Sequence, residues 1–315
     1  MVRYLILIAA LYGGNALAAT PIPVPNVTRA GLIIAYQDIQ SAARVNFATV
    51  AAGLPFDFQV RPRGSRTYTA AIDGKALAET APGRWRWLPP NDGGHHRITI
   101  RGRDPEETSF INVAVTIPAA QQKKGRLNGY HIGDYPLEPM RGLSMYERPQ
   151  GFVEVHPEHL SLPVSPRFTL GQFLCKQASG YPKYLLLNSR LLQKLEYLLD
   201  RLNESGYPVV NFEIMSGYRT PIYNALIGNG RYSRHLWGDA ADIFIDQHPR
   251  DGVMDDLNKD GVIDKADALW LVNFIESLDE REDYQSFVGG LSPYDSTAAH
   301  GPFVHVDVRG WRARW

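Results

Sequence analysis

The chain has 315 residues, 44% of them hydrophobic, and a formal net charge of zero. That length suits two domains with real cores, and the zero charge argues against a nucleic-acid binder, which needs a basic stripe. The single cysteine, Cys175, excludes an internal disulfide and a CxxC metal site, so any metal must be held by Asp, Glu and the nine His.

Taken in chain order, "MVRYLILIAALYGGNALAA" has Arg3, an apolar run from Tyr4 to Tyr12 and small residues up to Ala18. This predicts a secretory signal peptide over 1–19 and a secreted or periplasmic protein. The run is too short to span a bilayer, and no later segment is long enough, so no stable membrane insertion is expected after cleavage. Residues 20–118 read as strands. "PFDFQV" alternates Phe56, Phe58 and Val60, and Asp73-Gly74 marks a hairpin. Trp85 and Trp87 alternate, as do Ile111, Val113, Val115 and Ile117. Short strands at regular spacing predict an all-β immunoglobulin-like sandwich. His95 and His96 are read in a turn, as surface residues without a role.

Residues 119–165 are polar, then rich in Pro and Gly, and read as a linker and wrapping segment. The second domain runs over 166–315. Leu191, Leu195, Leu198 and Leu202 form the stripe of an amphipathic helix stopped at Gly206. "VVNFEIMSGYR" reads as a strand ending in a turn. "TPIYNALI" reads as a short helix with Thr220 as N-cap and Pro221 at its first position. "DAADIFID" and "GPFVHVDVRG" read as two more strands. The order predicts an α+β domain with a small antiparallel sheet.

Three stretches carry chemistry. In "SRHLWGDAAD", His235 falls on a loop and Asp242 on the following strand, and both types suit Zn²⁺. Alone, the pair reads first as a loop His and a strand Asp satisfied by hydrogen bonds. On "FVHVDV", the two-residue period puts Phe303, His305 and Asp307 on one face and Val304, Val306 and Val308 on the other, towards the core. A His and an Asp on a half-buried strand are costly unless paired or metal-bound. His305 then becomes a third ligand, with a fourth position left for water, as in catalytic zinc sites. In "SGYR", Arg219 offers a planar fork for a carboxylate or an oxyanion, or forms a surface ion pair.

Together "SGYRTPIYN", "SRHLWGDAAD" and "FVHVDV" resemble the motifs of the zinc D-alanyl-D-alanine carboxypeptidases and murein endopeptidases, which share the Hedgehog-like fold. Ser233, His235, Gly238, Ala240 and Asp242 match the pattern S-x-H-x-x-G-x-A-x-D. The resemblance covers roughly 165–315. It implies zinc held by His235, Asp242 and His305, with Arg219 stabilising the transition state or gripping substrate. Some members place a Glu three residues before the last His, where this chain has Pro302; others have a His five residues before it, where this chain has His300. The proton-transfer residue is then His300 or Asp307. Asp307 also fits as a partner that orients an imidazole.

A separate stretch, 256–267, follows the spacing of an EF-hand calcium loop. Asp256, Asn258, Asp260, the Val262 carbonyl, Asp264 and Asp267 take the ligand positions, and Gly261 the sharp turn. Asp267 replaces the usual Glu, and no entering helix precedes the loop. The expectation is structural Ca²⁺.

The reading is a zinc metallopeptidase of peptidoglycan peptides, a D,D- or L,D-endopeptidase or a D-Ala-D-Ala carboxypeptidase. The alternative is an inactive, zinc- and calcium-stabilised cell-wall binding module.

Overall fold

The computed structural model describes residues 29–61, 66–103 and 106–315. Residues 1–19, read above as a signal peptide, lie outside the described residues.

The first part consists of two sheets over one apolar core. One sheet runs in the order Ile39–Ala43, Arg29–Tyr36, Phe56–Arg61, Arg84–Trp87, Glu79–Ala81. The other contains Lys75–Leu77, Tyr68–Ile72, Gly94–Gly102 and Glu107–Pro118, and Val45–Ala51 pairs in parallel with the last of these. The alternation read from the sequence holds. Phe56, Phe58 and Val60 share the core with Trp85, Trp87, Ile111, Val113 and Val115. Asp73 and Gly74 both take positive φ (48° and 80°), as a tight two-residue hairpin requires.

His95 and His96 depart from expectation. They lie within the Gly94–Gly102 strand and are only partly exposed. His95 Nε2 lies 2.7 Å from the Glu154 carbonyl, and its ring centroid is 4.1 Å from that of His159. The hydrophobic alternation around them was obscured by the preceding Asp92-Gly93-Gly94 run.

The segment after Pro118 is more ordered than a linker. Gly151–Val155 pairs with the end of Glu107–Pro118, and Lys183–Leu185 pairs with Gly151–Val155 on its other side. The second sheet of the first part thus continues into the second part. Phe47 and Ala114 lie in the same core as Leu191, Leu195 and Val306. Turn composition marked this stretch as irregular; pairing with a distant strand edge made part of it a sheet.

The second part is α+β. The Ser189–Glu204 helix starts at Asn188, whose side chain accepts from Arg190 N, and buries Leu191, Leu195, Leu198 and Leu202 completely. These leucines share one core with Ala241, Ile243, Val304 and Val306 of the sheet that carries the site. That sheet runs Glu213–Ser216, Ala240–Phe244, Phe303–Asp307, Gly290–Tyr294, Ala313–Arg314, antiparallel except for the last pair. Val304 and Val306 point into the core, as period two demands. None of the described helices is long and apolar enough to cross a membrane.

Candidate metal centre

Register brings the site together. Asp242 pairs with His305 across two central strands and with Ser216 on its other side. His305 also faces Ser292. His235 comes from the Arg234–Trp237 turn that precedes the Ala240–Phe244 strand. That turn ends at Gly238, with φ of 70°. A Cβ on Gly238 would stand 2.3 Å from the Leu186 carbonyl oxygen, so only glycine lets the chain fold back here.

The result is a triangle of ligand atoms. His235 Nε2 lies 3.2 Å from Asp242 Oδ1 and 3.1 Å from His305 Nδ1, and the latter two are 3.0 Å apart. Metal–ligand bonds of about 2.0–2.1 Å in tetrahedral array put ligands roughly 3.3 Å apart, so the three atoms approximate one face of such an array. Among the described residues this is the one group of His, Cys, Asp or Glu close enough to hold a metal ion. All three are buried.

Each ligand is aimed by a partner. His235 Nδ1 lies 2.6 Å from the Gly217 carbonyl, which accepts its proton and leaves Nε2 as a lone pair facing the site. His305 Nε2 lies 3.1 Å from Asp307 Oδ2, which leaves Nδ1 for the site. Arg219 donates to Asp242 Oδ2 and, through Nε, to Ser216 Oγ at 2.8 Å. That fixes the second oxygen of Asp242 and turns Oδ1 inward. The donor set of two imidazoles and one carboxylate, each held from behind, fits zinc.

The electrostatics follow the same arrangement. Burial works against charge on Asp242, but His235, His305 and Arg219 outweigh it and hold the carboxyl well below its usual range. Burial keeps His235 below its ordinary value despite Asp242. At His305, burial is outweighed by Asp242 and Asp307, which raise it.

The triangle opens on a cavity of about 930 Å³, lined by Arg219, Lys176, Arg231, Tyr232, His300 and Trp315 among others. His300 is on this wall; its Nδ1 lies 2.9 Å from the Gly301 carbonyl, and its ring packs edge-on against Phe303. Asp307 is not on the wall. It is wholly buried behind His305, accepts from Gly290 N at 2.7 Å and pairs with Arg309. Of the two roles left open for Asp307, the geometry gives it the orienting one. Of the two candidates for proton transfer, His300 lines the cavity and Asp307 does not.

Several contributors escaped the sequence reading. Lys194 is fully buried on the apolar stripe of its helix and donates to the Asp307 carbonyl at 2.9 Å; burial pushes it down to about 8. A lysine three residues after Leu191 and one before Leu195 was a visible signal. Trp315 has its ring 5.1 Å from that of His305 and donates from Nε1 to Tyr294 Oη at 2.6 Å. Nothing local in the sequence marks it.

The 256–267 loop does not gather its oxygens in the same way. Asp256 accepts from Asp260 N and Gly261 N, and Asp260 from Val262 N. Asn258 accepts from Asp260 N. Asp264 caps the Lys265–Glu276 helix, and Asp267, completely buried, closes the capping box and accepts from Leu257 N and Asn258 N. The side-chain oxygens at the expected ligand positions serve backbone donors, and the structure gives calcium no support.

Residues 166–266 match the model of the Peptidase M15 family. Through this segment the chain is similar to the M15 peptidases. The match contains His235 and Asp242 and stops short of His305, which joins them only through strand pairing. M15 peptidases are zinc-dependent. No curated protein matches the chain. Among solved structures, the M1 domain from titin is 14% identical, with 22% of this chain and 89% of that one covered and a TM-score of 0.17. Titin M4 is 14% identical, with 27% and 96% covered and a TM-score of 0.18. Scores this low establish no common fold.

Proposed function

We propose that the protein is a zinc peptidase that hydrolyses peptide bonds of peptidoglycan, as a D,D- or L,D-endopeptidase or a D-Ala-D-Ala carboxypeptidase. The observation that carries this is the triangle of His235 Nε2, Asp242 Oδ1 and His305 Nδ1, with edges of 3.0–3.2 Å, at the floor of a cavity large enough for a peptide. His235, Asp242 and His305 would hold the ion. When bound, zinc lowers the pKa of a coordinated water towards 7 and polarises a carbonyl.

The residues of the chain supply the rest. The Gly217 carbonyl and Asp307 lock the two imidazoles in the tautomers that present lone pairs to the site. Arg219 stabilises negative charge developing on the substrate oxygen from a position fixed by Ser216 and Asp242. His300, with Nδ1 engaged by the Gly301 carbonyl, keeps Nε2 free to take a proton and pass it to the leaving amine.

The N-terminal part is read as an immunoglobulin-like module. A five-stranded sheet and a mostly antiparallel sheet closed by one parallel strand, over a single core, support this. Export through the 1–19 segment would bring the enzyme to its cell-wall substrate.

The deciding experiment is digestion of purified murein by the zinc-loaded protein, analysed by mass spectrometry. Peptide products absent from a His235→Ala digest are expected. Intact murein in both digests, with zinc bound, would overturn the enzymatic reading in favour of a binding module.

A further inference from the structure

The cavity above the metal triangle is unevenly charged. Lys176, Arg219, Arg231, Arg234 and Arg309 line it, against one lining side-chain carboxylate, Asp242. Three of the cations are compensated one for one: Arg219 by Asp242, Arg234 by Asp239 and Arg309 by Asp307. Among the described residues, Lys176 and Arg231 have no carboxylate partner. Arg231 lies over the Tyr232 ring at 5.0 Å. Lys176 has no such support.

Lys176 is also the better placed of the two. Its chain neighbour Gln177 is tied on both sides, donating to the His131 carbonyl at 3.0 Å and accepting from Thr220 Oγ1 at 2.7 Å. Thr220 adjoins Arg219, and the preceding Cys175 is buried. The backbone of Lys176 is thereby fixed beside Arg219 while its side chain stays exposed. Partial burial, and then the charge of Arg219, hold its ammonium below the ordinary lysine value. Asp242 acts on it only through its charge, so an anion arriving there meets an ammonium that no ion pair holds, in a cleft whose walls focus the field.

We infer that Lys176 is a carboxylate-binding residue that selects substrates carrying a free carboxylate next to the metal site. The inference rests on the peptidase reading of this cavity. The carboxylate is either the α-carboxylate ending the peptide or a side-chain carboxylate within it.

The test uses zinc-loaded protein and uncleavable ketomethylene isosteres, with dissociation constants measured by calorimetry. One pair is acetyl-D-Ala-D-Ala as free acid and as amide. The other is acetyl-D-Glu-D-Ala-D-Ala amide and its D-Gln counterpart. The wild type is expected to favour the carboxylate member of one pair about tenfold, and which pair responds identifies the source. Lys176→Gln should bring that ratio to about one, whereas Arg231→Gln should leave it. A wild-type ratio near one in both pairs, a ratio that survives Lys176→Gln, or a ratio lost in Arg231→Gln instead, would overturn the assignment. Because binding is read without turnover, a protein that fails to cut murein sinks the peptidase reading separately from this one.

Discussion

Asp307 stands directly behind His305, with Oδ2 3.1 Å from the ring nitrogen that points away from the metal triangle. The contact makes a residue that shares the strand face of a ligand into the ligand's support. Asp307→Asn keeps an acceptor but removes the charge that favours the correct tautomer. Zinc affinity should fall 10–100-fold, measured by competition with a chromophoric chelator. Unchanged affinity would remove Asp307 from the site altogether.

His300 is on the cavity wall and touches none of the three ligands. His300→Ala should lower kcat on a cleaved muropeptide by about 10²–10⁴-fold while zinc content stays at one ion per chain. Loss of zinc together with activity would make His300 a ligand or a structural residue instead.

His95 joins the first part of the chain to the segment that follows it. Burial pushes it down to about 4, against about 6.5 in an unfolded chain, and its Nδ1 has no partner. Between these values the unfolded state binds the extra proton and the folded state does not. Stability is therefore fully present above pH 6.5 and falls as pH drops towards 4, by at most about 3 kcal/mol. Urea midpoints of the wild type at pH 7 and pH 5 should differ more than those of His95→Gln. Equal differences would contradict the shift.

Asp267 satisfies backbone donors at both ends of its loop. Asp267→Ala should destabilise the protein by about 2–4 kcal/mol, from lost capping and buried unpaired N–H groups. The loss should be the same in EGTA as in calcium. A wild-type melting temperature that rises on adding calcium would restore the ion site that the spacing suggests.

Much of this was legible in the chain itself. Strand alternation at Phe56–Val60, the Asp73-Gly74 hairpin, the leucine stripe from Leu191 to Leu202 and the Thr220-Pro221 helix start are local, because each depends on side-chain period or on one residue's φ preference. The candidate ligands His235, Asp242 and His305 were legible for the same reason: a turn, a strand face and a resemblance in three short motifs. Only the tertiary structure decided what stands behind and beside them. Which face of His305 meets Asp307 and which meets Asp242 depends on strand register. The carboxylates of 256–267 match a ligand spacing, but backbone donors take them in the fold. Gly151–Val155 became a strand because a free edge at Ile117, 35 residues before its partner Phe152, was there to pair with it; the rule behind such pairing acts through space, and nothing in a local run of residues records it.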